Sequence, residues 1–131
     1  MKKIVLLFVF FLFSGCVKED KGIISNFYSY PNPFNSATQT ATFRVNYSTS
    51  GISEYKWKLE IFSENGNLVS VYENSSSSVS NPLQIEWNAR DNRGNLVQNG
   101  IYTAVITLEI TKTTGGFSGS VYRAYCKTVV Q

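Results

Sequence analysis

The sequence predicts an all-β chain: a two-layer antiparallel sandwich of seven strands that follows a cleaved leader. Three observations carry that expectation. Polar and apolar side chains alternate over several stretches, most regularly Ala41–Tyr47 and Tyr55–Phe62, and a period of two sends successive side chains to opposite faces of a strand. Clusters of Pro, Asn, Gly and Ser break these stretches at short intervals, the spacing of short strands joined by turns. No stretch repeats its apolar residues with the 3.6-residue period of a helix.

The chain opens on Met1-Lys2-Lys3, followed by ten apolar residues from Ile4 to Phe13 and then Ser14-Gly15-Cys16. A charged start, a short apolar run and small residues describe a secretory signal peptide over residues 1–15. Ten apolar residues fall short of the ~20 that a helix needs to cross hydrocarbon. Phe13-Ser14-Gly15-Cys16 resembles the bacterial lipoprotein box, with Phe13 where that box prefers Leu. The resemblance implies cleavage before Cys16, diacylglycerol on the Cys16 thiol and acylation of the new amino group. An ordinary signal peptide with a fortuitous cysteine is the alternative. Each buried methylene contributes ~0.8 kcal/mol, so two or three acyl chains hold a protein to a bilayer essentially permanently. Residues 16–22 then form a polar tether that includes Lys18-Glu19-Asp20-Lys21, and 23–131 is the sandwich domain.

Within the domain, Ile23 to Tyr30 is expected as a first strand, stopped by Pro31-Asn32-Pro33 because proline fixes φ and removes a ladder donor. Ala41, Phe43, Val45 and Tyr47 share one face of the second strand, Thr42, Arg44 and Asn46 the other. Tyr55, Trp57, Leu59 and Ile61 oppose Lys56, Lys58 and Glu60 on the third. Glu64-Asn65-Gly66-Asn67 is expected as a hairpin turn in which Asn-Gly supplies positive φ angles, and Leu68 to Glu73 returns antiparallel. Asn74 to Pro82 is expected as a Ser-rich loop, followed by a strand with Leu83, Ile85 and Trp87 facing inward. Asn88 to Asn99 is a long turn. Ile101 to Thr111, apolar on both faces, should be central, and Ser120 to Val130 closes the fold after a loop containing Gly115, Gly116 and Gly119. Seven strands in about 110 residues match an immunoglobulin-like plan; a small closed barrel is the alternative.

Four motifs in this order carry a family resemblance. Tyr30-Pro31-Asn32-Pro33-Phe34-Asn35 resembles the Y-P-N-P-F-N opening of two related module groups: the C-terminal sorting domain of type IX secretion cargo, and the immunoglobulin-like domain of the flagellar hook-capping protein. The hairpin Leu59 to Val69 with Gly66, the turn Trp87-Asn88-Ala89-Arg90-Asp91-Asn92-Arg93-Gly94 and the entry Gly100-Ile101-Tyr102 are similar to their later motifs. Ser36 departs from the second Pro of N-P-F-N-P, and Asn88-Ala89 from Asp-Gly. Everything that matches has a folding role: Trp87 fills the space between sheets, Asp91 accepts from backbone N–H groups toward Gly94, and glycines adopt backbone angles that other residues resist.

Composition excludes much chemistry. The chain has 131 residues, 43% hydrophobic and 16% charged, with a formal charge of +3; this suits one globular domain and lacks the dense basic face of a nucleic-acid binder. Removing residues 1–15 takes Lys2 and Lys3 along and leaves ten basic residues against nine acidic, so the mature chain is almost neutral. There is no histidine, which removes Ser-His-Asp and Cys-His nucleophiles and histidine-based zinc sites. With Cys16 acylated, Cys126 stands alone and no intramolecular disulfide forms; it shares a strand face with Tyr122, Ala124 and Thr128 and reads as an inert thiol. The oxygens of Asn88, Asp91, Asn92 and Asn95 offer one carboxylate, a poor calcium site, so no metal or other cofactor is expected. Lys56, Lys58 and Glu60 read as a hydrated sheet face.

The function expected is therefore a non-catalytic envelope lipoprotein, a structural or protein-interaction module that meets an envelope protein through exposed strand edges. The alternative is a carbohydrate-binding surface module using tyrosines such as Tyr28, Tyr30 or Tyr125. Val17 lacks an inner-membrane retention signal of the Asp type and Glu19-Asp20 resembles surface-export signals, which points to the outer membrane. Oligomeric state is not legible.

Overall fold

Alternation along the chain resolves into two stacked antiparallel sheets. The computed structural model describes residues 22–48, 52–76, 81–112 and 120–131. The strands are β1 (Ile24–Tyr30), β2 (Ala41–Tyr47), β3 (Ile52–Phe62), β4 (Leu68–Ser76), β5 (Leu83–Trp87), β6 (Gly100–Lys112) and β7 (Ser120–Val130). One sheet has the order β1-β2-β5 and the other β4-β3-β6-β7, every pairing antiparallel. The signal segment, Cys16, the tether up to residue 21 and the Gly115–Gly119 loop lie outside the described residues.

The inward faces follow from the period-two pattern. Ala41, Phe43, Val45 and Tyr47 of β2 meet Tyr55, Leu59 and Ile61 of β3 and Ala104, Ile106, Leu108 and Ile110 of β6 in one buried core. On β5, buried Leu83, Ile85 and Trp87 alternate with exposed Gln84 and Glu86. β6 is central in its sheet, between β3 and β7, and so even its outward Val105 and Thr107 are buried. Aromatic rings close the core at both ends. Trp87 packs against Phe34, Phe43 and Tyr102 with centroids 6.0, 6.4 and 5.4 Å away, and Tyr47 meets Tyr55 edge-on at 5.5 Å.

The segment after β1 belongs to both sheets. β1 pairs with β2 through Tyr30↔Thr42; then Pro31, Asn32 and Pro33 interrupt pairing, and Phe34 forms a parallel bridge to Val130 in the opposite sheet. Phe34 N donates to Val129 O at 3.0 Å and Gln131 N to Phe34 O at 2.9 Å. Between the prolines, the Asn32 amide acts as one more residue of that ladder: Nδ2 donates to Lys127 O at 2.9 Å and Oδ1 accepts from Val129 N at 2.9 Å. The prolines thus end one pairing and set up a second, on the edge of β7.

Three details differ from the pattern-based expectation. β3 starts at Ile52 rather than Tyr55, and β4 runs to Ser76, into the stretch expected as loop. The cause is the length of β6, whose far end pairs Lys112 with Ile52 while Tyr55 pairs with Ser76; polar residues continue a strand when a neighbour supplies the ladder. In the β3–β4 hairpin only Gly66 has positive φ, +82°, and Asn65 does not. Ser63 N donates to Asn67 O and Gly66 N to Ser63 O, and the register shifts at Ile61/Phe62, so the turn is a longer one with a bulge, not a two-residue Asn-Gly hairpin.

Two substitutions test this architecture. Asn32→Ala removes two hydrogen bonds to the β7 edge and is expected to lower unfolding free energy by about 1–2 kcal/mol; Asn32→Asp keeps the acceptor, loses the donor and also falls below wild type in urea titration. Thr128 is fully buried and its Oγ1 has no partner, so Thr128→Val is expected to raise stability by about 1 kcal/mol in the same titration, because an unpaired buried hydroxyl is replaced by a methyl.

Candidate functional site

The strand termini sort the resembling motifs to one end of the sandwich, here the tip. Tyr30↔Thr42, Ala41↔Trp87, Phe62↔Leu68 and Gly100↔Val130 place the end of β1, the start of β2, the end of β5, the β3–β4 hairpin, the start of β6 and the end of β7 there together. Pro31, Asn32, Pro33, Phe34, Gly66, Trp87, Asp91, Gly94, Gly100 and Tyr102 therefore cluster, and each polar group among them has a structural bond.

Trp87 Nε1 donates to Arg90 O at 2.9 Å, which starts the loop 88–99 beneath its own ring. Asp91 Oδ1 accepts from Arg93 N and Asn95 N, each at 2.9 Å, and Gly94, at φ +85°, donates its N–H to Asp91 O. Arg90 Nη1 reaches Gly94 O at 2.9 Å. Ala89 has φ +61° and is fully buried, at the position where the resembling turn carries Gly: an alanine here holds a left-handed conformation that glycine adopts more readily. Tyr102 Oη donates to Gln98 O at 2.6 Å, and burial, then the nearby Glu64, pushes the phenol up from its ordinary value. Glu64 Oε1 in turn accepts from Ile101 N at 3.1 Å.

Two of the loop's side-chain oxygens, Asp91 Oδ1 and Asn92 Oδ1, are committed to backbone N–H groups. Asn92 Oδ1 accepts from Val71 N at 3.1 Å and Asn92 N donates to Val69 O at 3.0 Å, which turns this residue onto the edge of β4. Among the described residues no three of His, Cys, Asp or Glu stand together as a metal site. Elsewhere, Glu73 and Glu109 line one shallow depression on the outer face of the four-stranded sheet with Lys56, Lys58 and Thr107. The register sets Lys58 opposite Glu73 and Lys56 opposite Glu109, cross-strand pairs of opposite charge that suit a solvated face. Lys58 Nζ also lies 3.8 Å from Glu60 Oε1.

The sequence placed Asn92 and Glu64 in turns without revealing the contacts they make, and it assigned no role to Asn81. Asn92 and Glu64 hold the two contacts just described. Asn81 grips the end of β2: Nδ2 donates to Tyr47 O at 2.7 Å, and Oδ1 accepts from Tyr47 N at 3.5 Å. The Asn81-Pro82 pair was the available signal, since it repeats the Asn-Pro chemistry of Asn32-Pro33.

The edges of the sheets are consequently unequal. β7 is covered near the tip by Asn32 and Phe34, and β4 near the tip by Asn92. β1 lies beside β7. β5 pairs with β2 alone among the described residues; residues 77–80, which link β4 to it, lie outside them. Between β4 and β5 the inward-facing Trp57 and Tyr72 are only partly buried. A separate feature lies on the outer face of the three-stranded sheet, where Tyr28 and Tyr30 sit 5.9 Å apart and Tyr30 is 40% exposed. Tyr125, 45% exposed, stands apart from them on the outer face of the other sheet.

No family model and no curated protein matches the chain. Its fold is similar to part of dimeric latent PorU from Porphyromonas gingivalis, with a TM-score of 0.59 and 24% sequence identity over 79% of this chain. The match spans 9% of that protein, and at this identity it speaks to fold alone.

Cys126 faces Ala104 across the β6–β7 ladder and packs against the core, and burial pushes its thiol from 9.0 up to about 12. Burial first, and the neighbouring Tyr55 second, push Tyr47 from 10.0 to about 12. Both groups are neutral when protonated, and folding raises both pKa values. The stabilisation is fully present below the unfolded values of 9.0 and 10.0 and is lost as pH rises toward about 12. In the Cys16→Ser chain the expected outcome at pH 8 is slow reaction of Cys126 with Ellman's reagent in buffer and rapid reaction in denaturant. Unfolding midpoints are expected to hold up to about pH 9 and then fall.

Proposed function

We propose that the chain is a non-catalytic envelope lipoprotein: a rigid sandwich held by lipid at Cys16, residing at the outer membrane and serving as a docking module for an envelope protein in surface or secretion-machinery assembly. The single observation that carries the docking reading is that, among the described residues, β5 pairs with β2 alone and lies beside the partly buried Trp57 and Tyr72. An edge strand next to half-covered aromatic rings is the receptor half of strand addition. An extended segment of a partner would extend the three-stranded sheet at β5 and cover Trp57 and Tyr72. The near-neutral mature chain suits recognition through backbone bonds and apolar contact rather than charge steering.

Several features support the non-catalytic reading. Asp91 and Glu64 are occupied as acceptors of backbone N–H groups, Glu73 and Glu109 each face a lysine, and Cys126 is protonated across the physiological range. The family resemblance supports an extracellular or envelope setting, and the residues that carry it explain folding. A second reading, carbohydrate binding, has one observation in its favour, the Tyr28–Tyr30 pair with Arg44 and Glu86 on the same outer face.

Membrane fractionation and photo-crosslinking test these readings together. The wild-type chain is expected in the membrane fraction and Cys16→Ser in the soluble one; a Cys16→Ser chain that stays with membranes overturns the anchor. A photoreactive residue at exposed Gln84 of β5 is expected to give one discrete cross-linked envelope protein, and the same residue at exposed Asn26 of β1 none. Glycan-array binding lost in Tyr30→Ala would install the sugar reading instead.

A further inference from the structure

We infer that the sandwich stands end-on to the bilayer, with the end that carries Gly22 facing the lipid and the motif-bearing tip facing away. The inference rests on the lipid anchor at Cys16 proposed above and concerns what the fold does with it.

Where the chain enters the fold is fixed. A Cβ at Gly22, which has φ +43°, would overlap the ring of Tyr122, so the backbone here is pressed against the start of β7. Ser48 N donates to Ile23 O at 3.0 Å, which ties the entry to the end of β2. The register assigns this end of the sandwich: Ile24↔Tyr47, Val45↔Leu83, Tyr55↔Ser76 and Ile110↔Ser120 bring together the start of β1, the end of β2, the start of β5, the end of β4, the end of β6 and the start of β7. It is the end opposite Asn32, Trp87 and Asp91.

The tether is short. Six peptide steps from Cys16 to Gly22 reach at most ~20 Å when fully extended. β7 alone has 11 residues, about 35 Å at ~3.3 Å per residue. The acylated residue therefore keeps the Gly22 end near the headgroups, while the tip can lie a full strand length farther out.

Side-chain chemistry favours the upright posture over lying on a flank. Lys56, Lys58, Glu73 and Glu109 line the outer face of one sheet, and Arg44, Gln84 and Glu86 share that of the other; flattening either onto lipid would desolvate charge. The Gly22 end offers Tyr122, partly buried, and Val121, 37% exposed, an aromatic and an aliphatic side chain of the kind that tolerates the interface. The tether carries two basic and two acidic residues, Lys18, Glu19, Asp20 and Lys21, so its reach rather than attraction to anionic headgroups sets the posture. One consequence is that the exposed apolar residues Leu68, Leu96 and Ile101, all near the tip, are held away from lipid.

The test uses the mature acylated chain, purified from membranes as a Cys126→Ala variant and reconstituted into phosphatidylethanolamine–phosphatidylglycerol vesicles containing a trace of rhodamine-labelled lipid. A donor fluorophore is placed at Ser48→Cys, beside the entry, or at Asn65→Cys, in the tip hairpin. Energy transfer to the membrane is expected to be roughly twofold or more higher from position 48, given the ~20 Å tether and ~35 Å strand. It is also expected to be unchanged between ~50 mM and ~500 mM NaCl, a range over which electrostatic adhesion would be screened. Equal transfer from both positions, or greater transfer from position 65, overturns the posture while leaving the anchor intact. A chain that fails to float with the vesicles, or a Cys16→Ser chain that floats equally well, overturns the anchor and the posture with it.

Discussion

Everything in this fold depends on one segment that is shared between its two sheets. A sandwich is two amphipathic layers whose apolar faces must meet, and layers joined only by loops at their rims can slide. Here the chain leaves β1, crosses through Pro31, Asn32 and Pro33, and pairs Phe34 with Val130 of the opposing sheet. The same step inserts the Phe34 ring against Trp87, the largest fully buried side chain. Backbone pairing and core packing are thus fixed by the same few residues, and the relative position of the sheets is set at that end.

Asparagine recurs at three places where a strand runs past its ladder partner. Its amide has the donor and acceptor of a peptide unit on a short side chain, so it can satisfy an edge without committing a further strand to it. Asn32 does this on β7 and Asn81 on β2, both gripping one strand with side-chain donor and acceptor. Asn92 does it on β4 with its own N–H and side-chain oxygen. Asparagine next to proline is well placed for this work at positions 32 and 81, because the proline cannot extend the ladder itself.

Much of the fold was legible because alternation is a local property. Ala41–Tyr47, Leu83–Trp87 and Ser120–Val130 could be bounded from their own residues and the punctuation around them. The extra length of β3 and β4 was not, since Ile52 and Ser76 become strand only through partners on β6 and β3 that lie far off in sequence. The Asn-Gly signal located the hairpin correctly and misjudged its geometry: with Ser63 and Asn67 closing the turn, Gly66 alone takes the left-handed angle. The tip could be foreseen as a set of motifs but not as a cluster, because register is what brings Asn32, Asp91 and Tyr102 to one end. The contacts of Asn81 and Glu64 were hidden for a related reason, as these bonds run to backbone groups 34 and 37 residues away.

The residues that carry the resemblance to known modules are also those with the least freedom to act. A carboxylate oxygen that accepts two loop N–H groups, an amide bonded at both ends and an indole packed against three aromatic rings are all engaged by the fold. Preserving such a motif preserves a shape, and shape does not determine what the shape touches. Specialisation in a protein of this kind therefore belongs to surfaces that the motif leaves alone. Here those are the side of β5 away from β2, with Trp57 and Tyr72 beside it, and the face that bears Tyr28 and Tyr30. Two modules with the same Trp87 turn can differ completely there, which is why the flank rather than the tip is where a partner should be sought.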